Sequence, residues 1–271
     1  MRALVFLAAA YALAAPAGAG TISITISQGV AVSADKLMVN LKVGNSGDEA
    51  ALSVTPSLRF GDQVVRGKGK ESLAPNTSFE ETLTLPVGSL GEGRWPYRIA
   101  VDYTDQNQYP FQALQTQAVI IGSPPPAKVV VPTIKSGDIA GSGSLTLTVK
   151  NLTADPRTAR VSVFVPEGLE ATDPVREVKL DGWKEQELTI PITNRTALAG
   201  SRYPVFVVAE YDDGAVHQSA VAQGMISVIE AQSFFSRNTR FLWIGAAVLV
   251  ALWLAIVVMR GVGRSSAGAQ T

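Results

Sequence analysis

The chain has 271 residues, with 23 basic and 23 acidic side chains, no cysteine and one histidine. Balanced charge without a Lys/Arg block gives no footprint for nucleic acid. The lack of Cys excludes disulfides, thiol chemistry and Cys/His metal sites, so no cofactor is expected and the fold must be held by its apolar core.

The first nineteen residues read as an export signal. Arg2 supplies the positive end, Ala3 to Ala15 an apolar run too short to span a bilayer comfortably, and Ala17-Gly18-Ala19 the small-residue cleavage pattern. From Thr21 the period is two. Ile22, Ile24 and Ile26 alternate with Thr and Ser, and Leu37, Val39, Leu41 and Val43 with polar residues, the mark of half-buried strands. A later strand places Trp95, Tyr97, Ile99, Val101 and Tyr103 on one face, with Arg98 and Asp102 on the other. Those aromatics are expected in the core. A turn at residues 104–107 then returns the chain.

At Ser123-Pro124-Pro125-Pro126 the chain enters a stiff extended linker, expected to hold the first module outward. Beyond it the pattern starts again. Leu145, Leu147 and Val149 lead into Asn151 as Val43 leads through Gly44 into Asn45; Arg202-Tyr203-Pro204 repeats Arg94-Trp95-Pro96, and Glu210-Tyr211 repeats Asp102-Tyr103. Such a repeat implies two copies of one module. The expected class is all-β: two tandem immunoglobulin-like β-sandwiches at 20–122 and 127–229, joined by a linker at 123–126.

The stretch Val43-Gly44-Asn45-Ser46-Gly47 followed by Ala50-Ala51, and Val149-Lys150-Asn151 followed by Ala159, resemble the strand, V-x-N-x-G and strand pattern of CARDB-type and related prokaryotic immunoglobulin-like modules. Thr153 departs from it where Gly is favoured. The resemblance covers each module and implies a surface role in adhesion or substrate presentation. It supplies no catalytic residues.

Residues 230–240 read as a juxtamembrane tether, 241–259 as a transmembrane helix and 260–271 as a cytoplasmic tail. The run FLWIGAAVLVALWLAIVVM contains no charge and no Pro and would make a helix ~28 Å long, close to the thickness of a hydrocarbon core. Ala247, Ala251 and Ala255 recur at spacing four on one face, a small-residue pattern suited to helix self-association. The expected location is a cell membrane, crossed once, with the N-terminal bulk outside the cytoplasm; the signal peptide sets that orientation.

Few residues point to chemistry. Asp212-Asp213-Gly214 reads as a turn with both carboxylates in solvent, and His217 lacks the neighbours of a nucleophile motif. Arg59, Arg66, Lys68 and Lys70 flank a Gly-rich hairpin and read as a charge-guarded edge, with a contact to acidic glycan or membrane as the functional option. Phe206 and Val208 stand where the first copy has Arg98 and Ala100, an apolar strip that could meet the other module, a partner or lipid. Trp183, in the Asp181-Gly182-Trp183 turn, is the best ring for stacking on a sugar. Asn76, Asn151 and Asn194 head N-glycosylation sequons. The expected function is therefore non-enzymatic: a membrane-anchored binding or scaffolding protein for adhesion or envelope-complex assembly, its partner an envelope protein or glycan, with an accessory glycan-binding protein for a cell-wall or polysaccharide enzyme as the alternative.

Overall fold

Alternating apolar and polar residues become pleated strands in the computed structural model, which describes residues 20–33, 35–88, 90–231, 240–241, 243–245 and 247–253. The first copy contains β1 (Ile24–Ser33), β2 (Lys36–Asn45), β3 (Ala51–Phe60), β4 (Gln63–Arg66), β5 (Lys70–Leu73), β6 (Thr77–Pro86), β7 (Gly93–Thr104) and β8 (Pro110–Ile121). The second contains β9 (Val129–Ser136), β10 (Ser142–Asn151), β11 (Arg157–Phe164), β12 (Leu169–Ala171), β13 (Val175–Leu180), β14 (Glu185–Asn194), β15 (Arg202–Asp213) and β16 (Val216–Ser227). The protein is all-β through this region, with sheets layered as sandwiches. One sheet runs β1-β2-β6, another β12-β14-β10-β9, and a nine-stranded sheet runs β13-β11-β15-β16-β7-β3-β4, with β5 on β3 and β8 on β7.

Two separate apolar clusters form. Leu37, Val39, Leu41 and Val43 of β2 meet Leu58, Tyr97, Ile99 and Val101 in the first. Leu145, Leu147 and Val149 of β10 meet Val161, Ile190, Val205 and Val207 in the second. Each is the inner face of its strands; on β2 the alternate residues turn outward, whereas on β15 Phe206 and Val208 among them are buried as well.

The repeated Asn has a physical cause. Asn45 is 2% exposed; its Nδ2 donates to the carbonyls of Glu49 (2.7 Å) and Leu73 (3.1 Å), and its Oδ1 accepts from the Gly47 N–H (3.0 Å). Asn151 is fully buried and repeats this with the carbonyls of Asp155 (2.7 Å), Leu180 (3.4 Å) and Asp181 (3.2 Å) and the Thr153 N–H (3.0 Å). An amide is suited to this place because it donates and accepts at once. It pins a tight loop to a strand of the opposite sheet.

The described residues from Gly20 to Val228 form one compact unit. The linker is folded into it rather than holding the modules apart: Arg94 Nη1 donates to the Pro125 carbonyl (2.5 Å) and to Gln218 Oε1 (2.7 Å), and Gln218 Nε2 donates to the same carbonyl (3.2 Å). Each Pro offers a carbonyl and no N–H, so donors of both modules converge on it.

The second unit starts at Ile229. Residues 240–241, 243–245 and 247–253 are helical. Among the described residues no helix is long and apolar enough to cross a membrane. The export signal at 1–19, most of the tether, the tail at 260–271 and the end of the apolar run, including Ala255, lie outside the described residues.

Candidate functional site

The junction between the two modules gathers most of the unusual side chains. Gly93 and His217 form a parallel bridge that joins β7 to β16, and the His217 N–H donates to the Glu92 carbonyl (3.2 Å). Only Gly permits this approach, since a Cβ at residue 93 would stand 2.2 Å from the His217 carbonyl oxygen. Trp95 follows at once. It was expected in the core, but β3 pairs with β7 only as far as Arg98, and of β3 only the Phe60 ring comes near residue 95, tilted by 37° with centroids 6.4 Å apart. Its indole stacks on the His217 ring instead, with centroids 4.1 Å apart and planes 18° apart, and its Nε1 donates to the Gly91 carbonyl (3.0 Å).

His217 is the only histidine and is largely enclosed. Its Nδ1 lies 2.9 Å from Asp212 Oδ1 and its Nε2 3.5 Å from Glu210 Oε1. Glu210 raises its pKa most, burial opposes this, and Asp212 adds a smaller upward pull. Asp212 is nearer, yet at 75% exposure water screens its charge more than that of Glu210 at 29%. Two carboxylates and an indole face thus surround the imidazole at the seam of two modules.

Asp213 does not point into solvent as the turn reading expected. Lys128 Nζ lies 2.6 Å from its Oδ2 and Arg157 Nη1 3.0 Å from its Oδ1. The Lys128 hydrogen bond, followed by Arg157, holds the Asp213 carboxyl below its ordinary pKa. Tyr211 completes this corner by accepting from the N–H groups of Lys128 and Val129. Arg157 opens β11 and Lys128 lies just before β9, so only folding brings the two cations to the turn.

Phe206 and Val208 are 4% and 1% exposed, so the strip is covered rather than presented to solvent. Phe206 borders a cleft with Thr116, Gln117 and Ala118 of β8, while Val208 lines another of about 330 Å³ with Phe60, Trp95 and Arg98. The outer face of the second module thus meets the first. Arg98 adds to the seam, its guanidinium 4.3 Å over the Phe164 ring. Burial, and then the neighbouring Arg59 charge, lower the Arg98 pKa. Arg59 lies directly opposite Arg98 in the sheet. Lys68 and Gly69 donate their N–H groups to Glu81 (2.6 and 3.1 Å), so a carboxylate sits within the basic hairpin.

Trp183 is 65% exposed and has φ of +59°, a left-handed conformation that is rare for a bulky side chain. The first copy has the same turn, with Asn76 at φ +57°, and the closing bonds match: Thr77 N–H to Ala74 O (3.3 Å) and Lys184 N–H to Asp181 O (3.2 Å). Ala247 and Ala251 are exposed on the described helix. Of the sequons, Asn151 is fully buried with its amide engaged, Asn194 donates to Ala140 O (3.0 Å) and Ala197 O (3.1 Å), and Asn76 is exposed. Among the described residues no group of three or more His, Asp or Glu is placed to hold a metal ion.

Reading alternation alone missed the junction. Its signals were the departure of Phe206 and Val208 from Arg98 and Ala100, and the glycine immediately before Arg94-Trp95-Pro96.

No protein-family profile matches the chain, and no curated protein matches it. Among solved structures it is similar to part of Escherichia coli alpha-2-macroglobulin activated by porcine elastase, at 15% identity over 78% of this chain and 22% of that one, with a TM-score of 0.33. Salmonella alpha-2-macroglobulin reacted with methylamine gives 16% identity, 78% and 16% coverage and a TM-score of 0.33. Red sea bream transglutaminase gives 10% identity, 78% and 31% coverage and a TM-score of 0.26. The chain spans less than a third of each of these proteins, and similarity at this level bears on neither activity nor partner.

Proposed function

We propose that the chain is a non-catalytic, single-pass membrane protein that holds two immunoglobulin-like modules outside the cytoplasm as a binding or scaffolding body of the cell envelope. The observation that carries this reading is the exposure of large apolar side chains around the C-terminal helix: Phe241 at 73%, Trp243 at 72%, Leu249 at 69% and Trp253 at 62%. In water each such side chain forgoes roughly 1.5–3 kcal/mol of burial, whereas lipid removes that cost. The apolar sequence runs on to Met259, so a helix through the whole run would match a bilayer core. Ala247, Ala251 and Ala255 would allow a second such helix to approach closely. Fractionation with alkaline carbonate tests the anchor: the full-length chain is expected in the membrane pellet, and its recovery in the soluble fraction refutes the reading. Protease added to spheroplasts is expected to digest residues 20–229 and spare the tail; the reverse pattern refutes the orientation.

Trp183 favours a second reading, an accessory glycan-binding protein for a cell-wall or polysaccharide enzyme. The repeat offers Asn at the equivalent left-handed position, and the second copy places an indole there, two-thirds exposed. Flat exposed rings stack on sugars. Co-sedimentation with insoluble cell-wall polysaccharide, lost in Trp183→Ala, would support it, and sedimentation equal in both chains would remove Trp183 from the site.

A further inference from the structure

The unpaired edge of β1 goes beyond this reading. Among the described residues β1 pairs only with β2, and β9, its counterpart in the second copy, pairs only with β10. The two edges are treated differently. β9 carries Pro132 and Lys135, its ladder with β10 is interrupted between Thr148 and Lys150, and Ser136 Oγ donates to the Met225 carbonyl of β16 (2.7 Å). Those are the usual guards of an edge strand. The sequence of β1, ITISQGVAVS, has no charge, no Pro and an uninterrupted register.

The Ser46 N–H donates to the Ser23 carbonyl (2.8 Å), and 46 lies opposite 23 in the register that β1 and β2 continue. Odd-numbered residues of β1 are therefore bonded to β2, and Ile24, Ile26, Gln28, Val30 and Val32 aim their N–H and C=O groups at the open edge. The same five residues carry the inward-facing side chains. Read in either direction, that row is apolar, apolar, amide, apolar, apolar. Gln28 Nε2 donates to Tyr97 Oη (2.9 Å), while its Oε1 is buried without a hydrogen-bond partner. Beside Ile24 and Ile26 lies a cleft of about 460 Å³, bordered also by Tyr103 and Phe111.

We infer that β1 is a homodimer interface, in which the β1 strands of two copies pair antiparallel about a two-fold axis at Gln28 and extend the β1-β2-β6 sheet across both chains. This register places Ile24 opposite Val32 and Ile26 opposite Val30 of the second copy, β-branched against β-branched, with Gln28 opposite Gln28. Every edge-facing backbone group of the row gains a partner. The second copy's Val30 and Val32 arrive beside the cleft, and its Gln28 side chain lies opposite this one. The outward pairs, Thr25 with Ala31 and Ser27 with Gly29, contain no charge and no bulk. A shift by one residue would set inward side chains against outward ones, so only even shifts compete, and the two nearest leave an end of the row unpaired.

Because the chain has no cysteine, introduced ones report alone. Thr25 and Ala31 of opposing chains would form a pair not bonded through the backbone, with Cα atoms ~4.5 Å apart, within disulfide range. Two copies of the same residue would be ~20 Å apart along the strands. Purified full-length Thr25→Cys and Ala31→Cys chains, mixed and oxidised in detergent, are expected to form a disulfide-linked heterodimer at least about tenfold faster than either chain alone. No dimer in the mixture, or equal rates in mixture and single chains, overturns the assignment. Val30→Pro removes an N–H that faces the open edge rather than β2; added to both cysteine chains it is expected to abolish the preference for the mixed disulfide while the chain stays folded, and a folded variant that crosslinks as fast as its parent overturns it equally.

Discussion

Replacing Asn151 by Ala tests whether the repeated Asn fastens each sandwich. The change removes an amide that donates to the carbonyls of Asp155, Leu180 and Asp181 and accepts from the N–H and hydroxyl of Thr153. The site is fully buried, so water does not replace those partners. At about 1 kcal/mol for each well-formed bond, and allowing for the long contact to Leu180, the loss is ~3 kcal/mol. With a urea m-value of ~1.5 kcal/mol/M for a domain of this size, the midpoint of the second module should fall by about 2 M. The assay is urea titration of the full-length chain in detergent, followed by circular dichroism in the strand region. Asn45→Ala should do the same to the first module. Asn151→Asp supplies an internal check: a carboxylate facing three carbonyls has its folded-state pKa raised, so the variant is stabilised at low pH and weakened as pH rises through that value. A midpoint shift under about 0.3 M in Asn151→Ala, or an Asp variant as stable as the parent at pH 7, would refute the clamp.

Three further outcomes follow from the junction and the turn. His217 has a raised folded-state pKa, chiefly through Glu210, so its protonated form stabilises the seam; that contribution is full below the free-histidine value near 6.5 and fades as pH rises through the folded value. NMR titration of the lone imidazole should give a pKa above the free value, and one at or below it contradicts the arrangement. Gly93→Ala drives a Cβ into the His217 carbonyl and should cost about 1–3 kcal/mol at the seam; hydrogen exchange should quicken at the His217 amide while the two cores stay protected. Trp183→Asn restores the residue that the first copy uses at this left-handed position and should stabilise the second module by roughly 1 kcal/mol, read as a rise in Tm; an unchanged or lower Tm shows that the indole is not strained.

Much of the strand pattern was legible because alternation is local. Leu37, Val39, Leu41 and Val43 declare an inner face without reference to anything else, and all four are buried. The Asn motif was visible as a repeat, but its cause was not, since Leu73 and Leu180 are distant in sequence and reach Asn45 and Asn151 only through folding. Trp95 and Asp213 show the limit more sharply. Alternation puts Trp95 inward, yet what lies inward depends on where β3 stops. A DDG turn puts Asp213 outward until Lys128 and Arg157, from other parts of the module, arrive beside it. The prolines at 124 and 125 looked like a spacer because their stiffness is local, whereas the donors on Arg94 and Gln218 that fasten them belong to two different strands.

The fastening of those prolines has a mechanical consequence. Slack between two beads normally lets one be pulled while the other rests, but here the connecting segment is stitched down by Arg94 and Gln218. Tension applied at one end of the two-bead body would load the Gly93–His217 bridge and the proline carbonyls together, so the beads would lean and yield as a pair.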